Sequence, residues 1–280
     1  MDRSPRRRDA SPTLAVAGPP TRTIGRVPRR LTVAIAALIL VVAFGGLLWW
    51  RLGARDASSV GEDTSVETLR ARGGGTGDPA AGIPEPGVYT YRQDGWERGG
   101  VGPIAVRRDL PGEARAIVAE ADEDGYLLEL ALAAQHVEAV RVRIDGAWIR
   151  STWRRTDVTI AGVGRDDRRA LTPPPRWIPR SPAVGQRWRD RFMVGPLPVD
   201  ATSEVRGRGE VIVDGRTFDT FEVEVVSRTG GSFPGTRTER IWWSTALALP
   251  VRWRIDSDTG GVAFLTTVTD LRLVSARPVR

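Results

Sequence analysis

The side chains equipped for catalysis are few and scattered. His136 is the single histidine in 280 residues, and there is no cysteine. A nucleophilic triad needs a base oriented by a third group, and zinc needs three or four ligands. One imidazole satisfies neither, so His136 reads as a turn or edge residue. Acidic groups cluster at Asp122-Glu123-Asp124, at Asp166-Asp167 and at Glu222/Glu224. The first two clusters sit in polar, turn-like stretches, and the third faces arginines across a predicted hairpin. Glycoside hydrolysis needs two carboxylates placed across a cleft, which none of these provides. The glycine clusters lack the Lys-Ser/Thr of a phosphate-binding loop. The chain reads as a non-enzyme, with no catalytic residue, cofactor or metal.

What remains is aromatic. Eight tryptophans follow residue 83: 96, 148, 153, 177, 188, 242, 243 and 253. Each is most simply core. Large rings lining a curved sheet also make an apolar groove. The candidate ligand-binding set is therefore Trp148, Trp153, Trp177, Trp188, Phe192, Phe221, Trp243 and Trp253.

These residues are positioned by what surrounds them. The net charge of +7 is carried mainly by residues 1–30, whose eight arginines and two aspartates sum to +6. Residues 84–280 carry only +2, so the domain is no nucleic-acid binder. All 41 basic residues are arginine, and asparagine is absent too, a usage that fits a GC-rich bacterial genome. Residues 31–50, LTVAIAALILVVAFGGLLWW, hold no charge over twenty positions and end in an interfacial Trp49-Trp50 pair. Such a helix spans about 30 Å, the thickness of the hydrocarbon core. Eight arginines before it, against Arg51 and Arg55 just after, place the N-terminus inside. A cleaved signal peptide has a shorter apolar region and a small-residue site. The expected organisation is a cytoplasmic arginine-rich tail (1–30), a single-pass transmembrane helix (31–50), a flexible linker (51–83) and an extracytoplasmic domain (84–280).

That domain reads as β. Val140, Val142 and Ile144 alternate with Arg141 and Arg143 before Asp145-Gly146. The stretch ELALAAQHVEAV also fits a short helix. In SEVRGRGEVIVDGRTFDTFEVEVVS (203–227), a three-residue loop at 214–216 puts Arg208 opposite Glu222 and Arg206 opposite Glu224, with Val205 opposite Val225. Arg187, Arg189 and Arg191 share one face of a strand whose other face holds Trp188 and Phe192. Ten or eleven such strands, apolar on one side only, must curl to bury that side.

The ordered series P-x-x-x-G-Q-R-W (182–188), V-I-V-D-G-R-T-F-D-T (211–220), R-I-W-W-S (240–244) and A-L-P-V-R (248–252), with G-V-Y-T-Y at 87–91, resembles a group of exported or membrane-anchored bacterial proteins of unknown function, common in actinobacteria. The resemblance covers about two thirds of residues 84–278. It implies a fold similar to the lipoprotein-localisation carriers: a half-open, curved antiparallel barrel around an apolar concavity. It brings no catalytic residues.

The expected function is a membrane-anchored domain at the cell envelope that binds an apolar or lipid-like ligand, with an envelope protein as a further partner. The alternative is a scaffolding module with a filled core. The proline-rich TPPPRWIPRSP (172–182) would suit a polyproline-binding partner only on the cytoplasmic side. Outside the membrane it reads as an extended crossover, with Trp177 and Ile178 plugging or capping the sheet.

Overall fold

The computed structural model describes residues 57–73, 82–160 and 162–280. The expected tail and membrane helix fall outside these residues. Among the described residues no helix is long and apolar enough to cross a membrane.

Within the stretch read as linker, Glu62–Ala71 forms helix α1. Glu62 and Asp63 in its first turn and Arg70 in its last complement the helix dipole. Val66 and Leu69, one turn apart, pack on Val88, Ile117 and Ala119, and Arg72 bonds Glu129 at 2.5 Å. This helix is fixed to the domain by an apolar stripe and one ion pair.

Fourteen strands follow: β1 Gly87–Val101, β2 Ile104–Asp109, β3 Glu113–Ala119, β4 Gly125–Ala133, β5 His136–Asp145, β6 Trp148–Ile160 and β7 Val163–Thr172 come first. Then come β8 Arg176–Pro179, β9 Arg187–Val194, β10 Leu197–Val213, β11 Arg216–Thr229, β12 Gly235–Ser244, β13 Leu249–Thr259 and β14 Ala263–Leu273. The ambiguous ELALAAQHVEAV is strand throughout, split between β4 and β5.

The sheet is closed, which corrects the half-open, ten- or eleven-strand expectation. β1 pairs with β14 over eleven residues, Tyr91↔Leu273 to Val101↔Ala263. The ring runs β1-β3-β4-β5-β6-β7-β9-β10-β11-β12-β13-β14 and returns to β1, twelve antiparallel strands. Closure removes both edges. β2 and β8 stand beside the ring, each sharing a long strand with another partner. β1 pairs with β3 through Gly87–Arg92 and with β2 through Trp96–Val101. β6 pairs with β8 at its start and with β7 from Trp153 onward.

The β10–β11 hairpin also departs from expectation. Val213 opposes Arg216, leaving a two-residue turn, Asp214-Gly215, with φ of 49° and 71°. Both values are left-handed, the geometry that matches strand twist in tight hairpins. A register shift between Val205 and Gly207 then brings Val205 opposite Val223. Arg206 still reaches Glu224 at 2.6 Å, but Arg208 pairs with Asp219 rather than Glu222.

Alternation sorts the side chains. Tyr91, Tyr126, Leu128, Ile149, Ile178, Val205, Val223, Ile241, Trp243, Val251, Ile255 and Leu271 fill one half of the lumen as a solid core. The outer wall is a mosaic of arginine–carboxylate pairs such as Arg206–Glu224–Arg240 and Arg252–Asp270–Arg272. The Arg187, Arg189 and Arg191 stripe is paired with Glu204 and Asp200. Asp166 and Asp167 lie on β7 within this mosaic, bonded to Arg155, Arg168 and Arg165, and not in a loop. Exposed pairs of this kind contribute little each, typically under about 1 kcal/mol.

Closure needs backbones to meet closely where β1 changes partners. Leu110 N–H donates to the Gly95 carbonyl at 3.0 Å. A Cβ on Gly95 would lie 2.1 Å from the Val268 carbonyl oxygen and 2.8 Å from Thr269 Cα. Gly95→Val is expected to lower stability by about 3 kcal/mol in urea unfolding. Gly209→Ala, where nothing lies within 4 Å, should be neutral or slightly stabilising. Equal effects at both glycines would show that the β1–β14 seam is not tightly packed.

Candidate functional site

Three strands place charged residues on the inward, otherwise apolar face. Glu97 is in phase with Tyr89, Tyr91 and Gln93 on β1. Glu138 is in phase with Val140 and Val142 on β5. Arg237 and Glu239 are in phase with Ile241 and Trp243 on β12. The lumen thus carries a belt of charge beyond its apolar half.

The belt is one connected chain. Arg108 on β2 bonds Glu97 at 2.5 Å. Glu97 accepts from His136 Nδ1 at 2.7 Å, and His136 Nε2 faces Glu138 at 3.7 Å. Arg237 donates to both oxygens of Glu138, at 2.9 and 2.8 Å, and to Glu239 at 3.1 Å. Arg154 on β6 stands 3.5 Å from Glu138 and 4.0 Å from Glu239. His136 is wholly buried, so the turn-or-edge reading is corrected: it is the joint of this chain. Burial alone would lower its pKa, but hydrogen bonding and attraction from Glu138 and Glu97 outweigh that and raise it to about 9. Burial opposes ionisation of Glu138 too, yet Arg237 and His136 hold its carboxyl well below the usual range. Glu97 is lowered in the same way, by His136 and Arg108 against its own burial.

Beside the belt lies a cavity of about 220 Å³. Leu171, Trp177, Phe192, Val199, Val225 and Trp253 form an apolar wall; Glu138, Arg154, Arg237 and Glu239 form a charged one. Exposed Thr236 and Asp258 mark its rim.

Of the eight aromatic residues expected to bind ligand, three line this cavity: Trp177, Phe192 and Trp253. Trp243 is sealed in the solid core, edge-on to Trp177 at 5.7 Å. Trp148 and Trp188 pack on each other at 5.1 Å, and Arg176 lies over the Trp148 ring. Phe221 packs at the margin of the core near Arg208. Trp153 alternates with lumen-facing Arg154 and lies on the outer wall. A single ring of aromatics around an apolar hollow is therefore not what forms. The signal for the charged wall was in the sequence as charges in phase with apolar residues, but one-sided pairing rules treat every such charge as solvated.

The proline-rich segment becomes wall. After a cis Thr172–Pro173 bond, Arg176–Pro179 pairs with β6, and Trp177 and Ile178 are buried as plugs. Towards β9 this segment has no ladder partner among the described residues. Arg176 instead bonds Asp190 at 3.1 Å and the Arg189 carbonyl at 2.9 Å, while Trp188 Nε1 donates to the Arg176 carbonyl at 3.2 Å. The next ladder, between β7 and β9, has only two residue pairs.

Fold and site together define a closed antiparallel barrel, half filled and half hollow, with a buried ion chain between the halves. No family model matches the chain, and no curated protein matches it. Among solved structures, a DUF1329 family protein from Desulfovibrio piger ATCC 29098 is similar over 78% of this chain and 94% of that chain, at 9% identity and a TM-score of 0.19. None of these comparisons points to actinobacteria.

The chain has no cysteine or lysine, so between pH 6.5 and 9 His136 titrates with only the α-amino group for company. A histidine pKa raised by folding contributes stability that is complete below the unfolded value near 6.5 and is lost as pH rises through about 9. The unfolding free energy from urea titrations should fall across that window by an amount on the order of 3 kcal/mol. His136→Gln, which cannot titrate, should flatten the slope. A flat wild-type profile would show that the imidazole is neutral in the folded state.

Proposed function

We propose that the domain is a non-catalytic binding module that holds a single-chain apolar or amphipathic ligand in its cavity, displayed outside the cytoplasmic membrane by the 31–50 segment. The observation that carries this reading is the hollow itself: one wall apolar, the other charged, in a barrel whose other half is packed solid. Size bears on the ligand. A cavity of roughly 150 Å³ holds a benzene-sized molecule, so one of about 220 Å³ takes a short chain or the end of a longer one.

The charged wall supports binding over catalysis. A general acid needs a pKa near the working pH, and Glu138 is held ionised by Arg237 and His136. The scaffolding alternative draws on the filled half of the lumen, and the same measurements separate the two.

The test uses the full chain in phosphatidylcholine nanodiscs. A fluorescent fatty acid should bind with one-to-one stoichiometry, and native mass spectrometry should detect a retained single-chain molecule. No binding and no retained molecule would leave the scaffold reading. Trp177→Ala removes contacts with Trp243 and with Trp253, the latter at 5.9 Å. It should lower stability by about 3–5 kcal/mol and shift preference towards longer chains, since it widens the cavity. If stability and chain-length preference both stayed at wild type, Trp177 would be neither seal nor wall.

A further inference from the structure

The charged wall has more hydrogen-bond donors than acceptors. Arg154 makes no hydrogen bond among the described residues; its two carboxylate neighbours lie at 3.5 and 4.0 Å. Its side chain is 34% exposed, and it lines the cavity. Arg237 uses its terminal nitrogens on Glu138 and Glu239, which leaves a buried Nε without a partner. Trp253, 6% exposed, lines the same cavity, and its buried Nε1 also lacks a partner. Both oxygens of Glu138 and Oε1 of Glu239 are already occupied by Arg237. Leaving buried donors unmade is costly, at about 1–3 kcal/mol each. The missing complement here is an acceptor.

Charge points the same way. The ion chain contains Arg108, Arg154 and Arg237 against Glu97, Glu138 and Glu239, with His136 between two of the carboxylates. With the imidazole protonated, one positive charge is in excess. Repulsion from Arg237, added to burial, lowers the pKa of Arg154. A single anion beside Arg154 would relieve both.

We propose that the ligand carries an oxyanion head, a carboxylate or phosphate, that accepts hydrogen bonds from the cavity-lining Arg154, and lays its apolar body against Leu171, Phe192 and Val199. This rests on the binding-module reading above and names the chemistry of the head. Arginine's planar donor fork suits either oxyanion.

Calorimetry on the full chain in phosphatidylcholine nanodiscs, corrected with empty nanodiscs, tests this with octanoate, octyl phosphate, octanol and acetate. Octanoate or octyl phosphate should bind at least about tenfold more tightly than octanol, the effect of a charge-assisted hydrogen bond. Whichever of the two binds tighter identifies the head. Arg154→Met should erase the preference by weakening octanoate and octyl phosphate. Arg154→Lys, which keeps the charge and removes the planar donor fork, should reduce it several-fold. Equal affinity for octanoate and octanol in the wild type overturns the oxyanion head while the binding module stands. No binding by any probe overturns both, and acetate matching octanoate overturns the apolar body. A preference that survives both substitutions overturns the assignment of Arg154 as the donor. If Arg154→Met fails to fold, as a melting curve will show, the wild-type series and Arg154→Lys decide.

Discussion

A guanidinium buried inside a barrel must find carboxylates, and here it finds them on the opposite wall. Arg237 on β12 and Glu138 on β5 stand diametrically across the ring, with five strands between them on either side. Twelve strands enclose a lumen wider than side chains can ordinarily fill. The Arg237–Glu138 pair spans that width, so the two walls are drawn to within the combined reach of an arginine and a glutamate. Breaking such a pair leaves an unpaired buried charge at a cost of about 3–5 kcal/mol. The cross-section of the barrel therefore depends on this bridge.

Everything else in the lumen is arranged around it. Glu97 and His136 extend the ion chain to β1, and Arg108 extends it to β2, so the strand that closes the ring is tied to the same network. On one side of the bridge the inward side chains are mainly apolar and aromatic, and these pack as a core around Trp243 and Ile241. On the other side the inward residues shorten to Ala201, Ser203, Ser227 and Gly235, and the walls no longer meet. The hollow is what remains when small residues follow large ones along the same strands.

The β class, the inward phase of Val140, Val142 and Ile144 and the burial of Trp177 and Ile178 were legible because alternation is local. Closure was not, because the pairing of Tyr91 with Leu273 joins residues about 180 positions apart and no local period reports it. The hairpin was misread by one residue because Asp214 adopts a left-handed φ that a residue other than glycine takes at some cost. His136 was misjudged for a related reason. One partner, Glu138, sits two residues along the same strand, but Glu97 lies on β1, which only the curvature of the sheet brings beside β5, and a lone histidine in a sequence carries no trace of it. Glu138, Arg237 and Glu239 did carry a trace, since each keeps step with buried neighbours.

The proline-rich stretch gives the wall a mechanical asymmetry. Apart from the two-pair ladder between β7 and β9, ring neighbours are laced by repeated amide hydrogen bonds, so separating them means breaking several at once. Between β8 and β9 the attachment is Arg176 and Trp188, and prolines at 173, 174, 175 and 179 have no N–H to offer. Parting the wall there ruptures three side-chain bonds while the ladders on both flanks stay intact. Pro175, Arg176 and Trp177 also border the hollow. The barrel is a stiff cylinder with one unlaced panel, and the panel borders the hollow inside it.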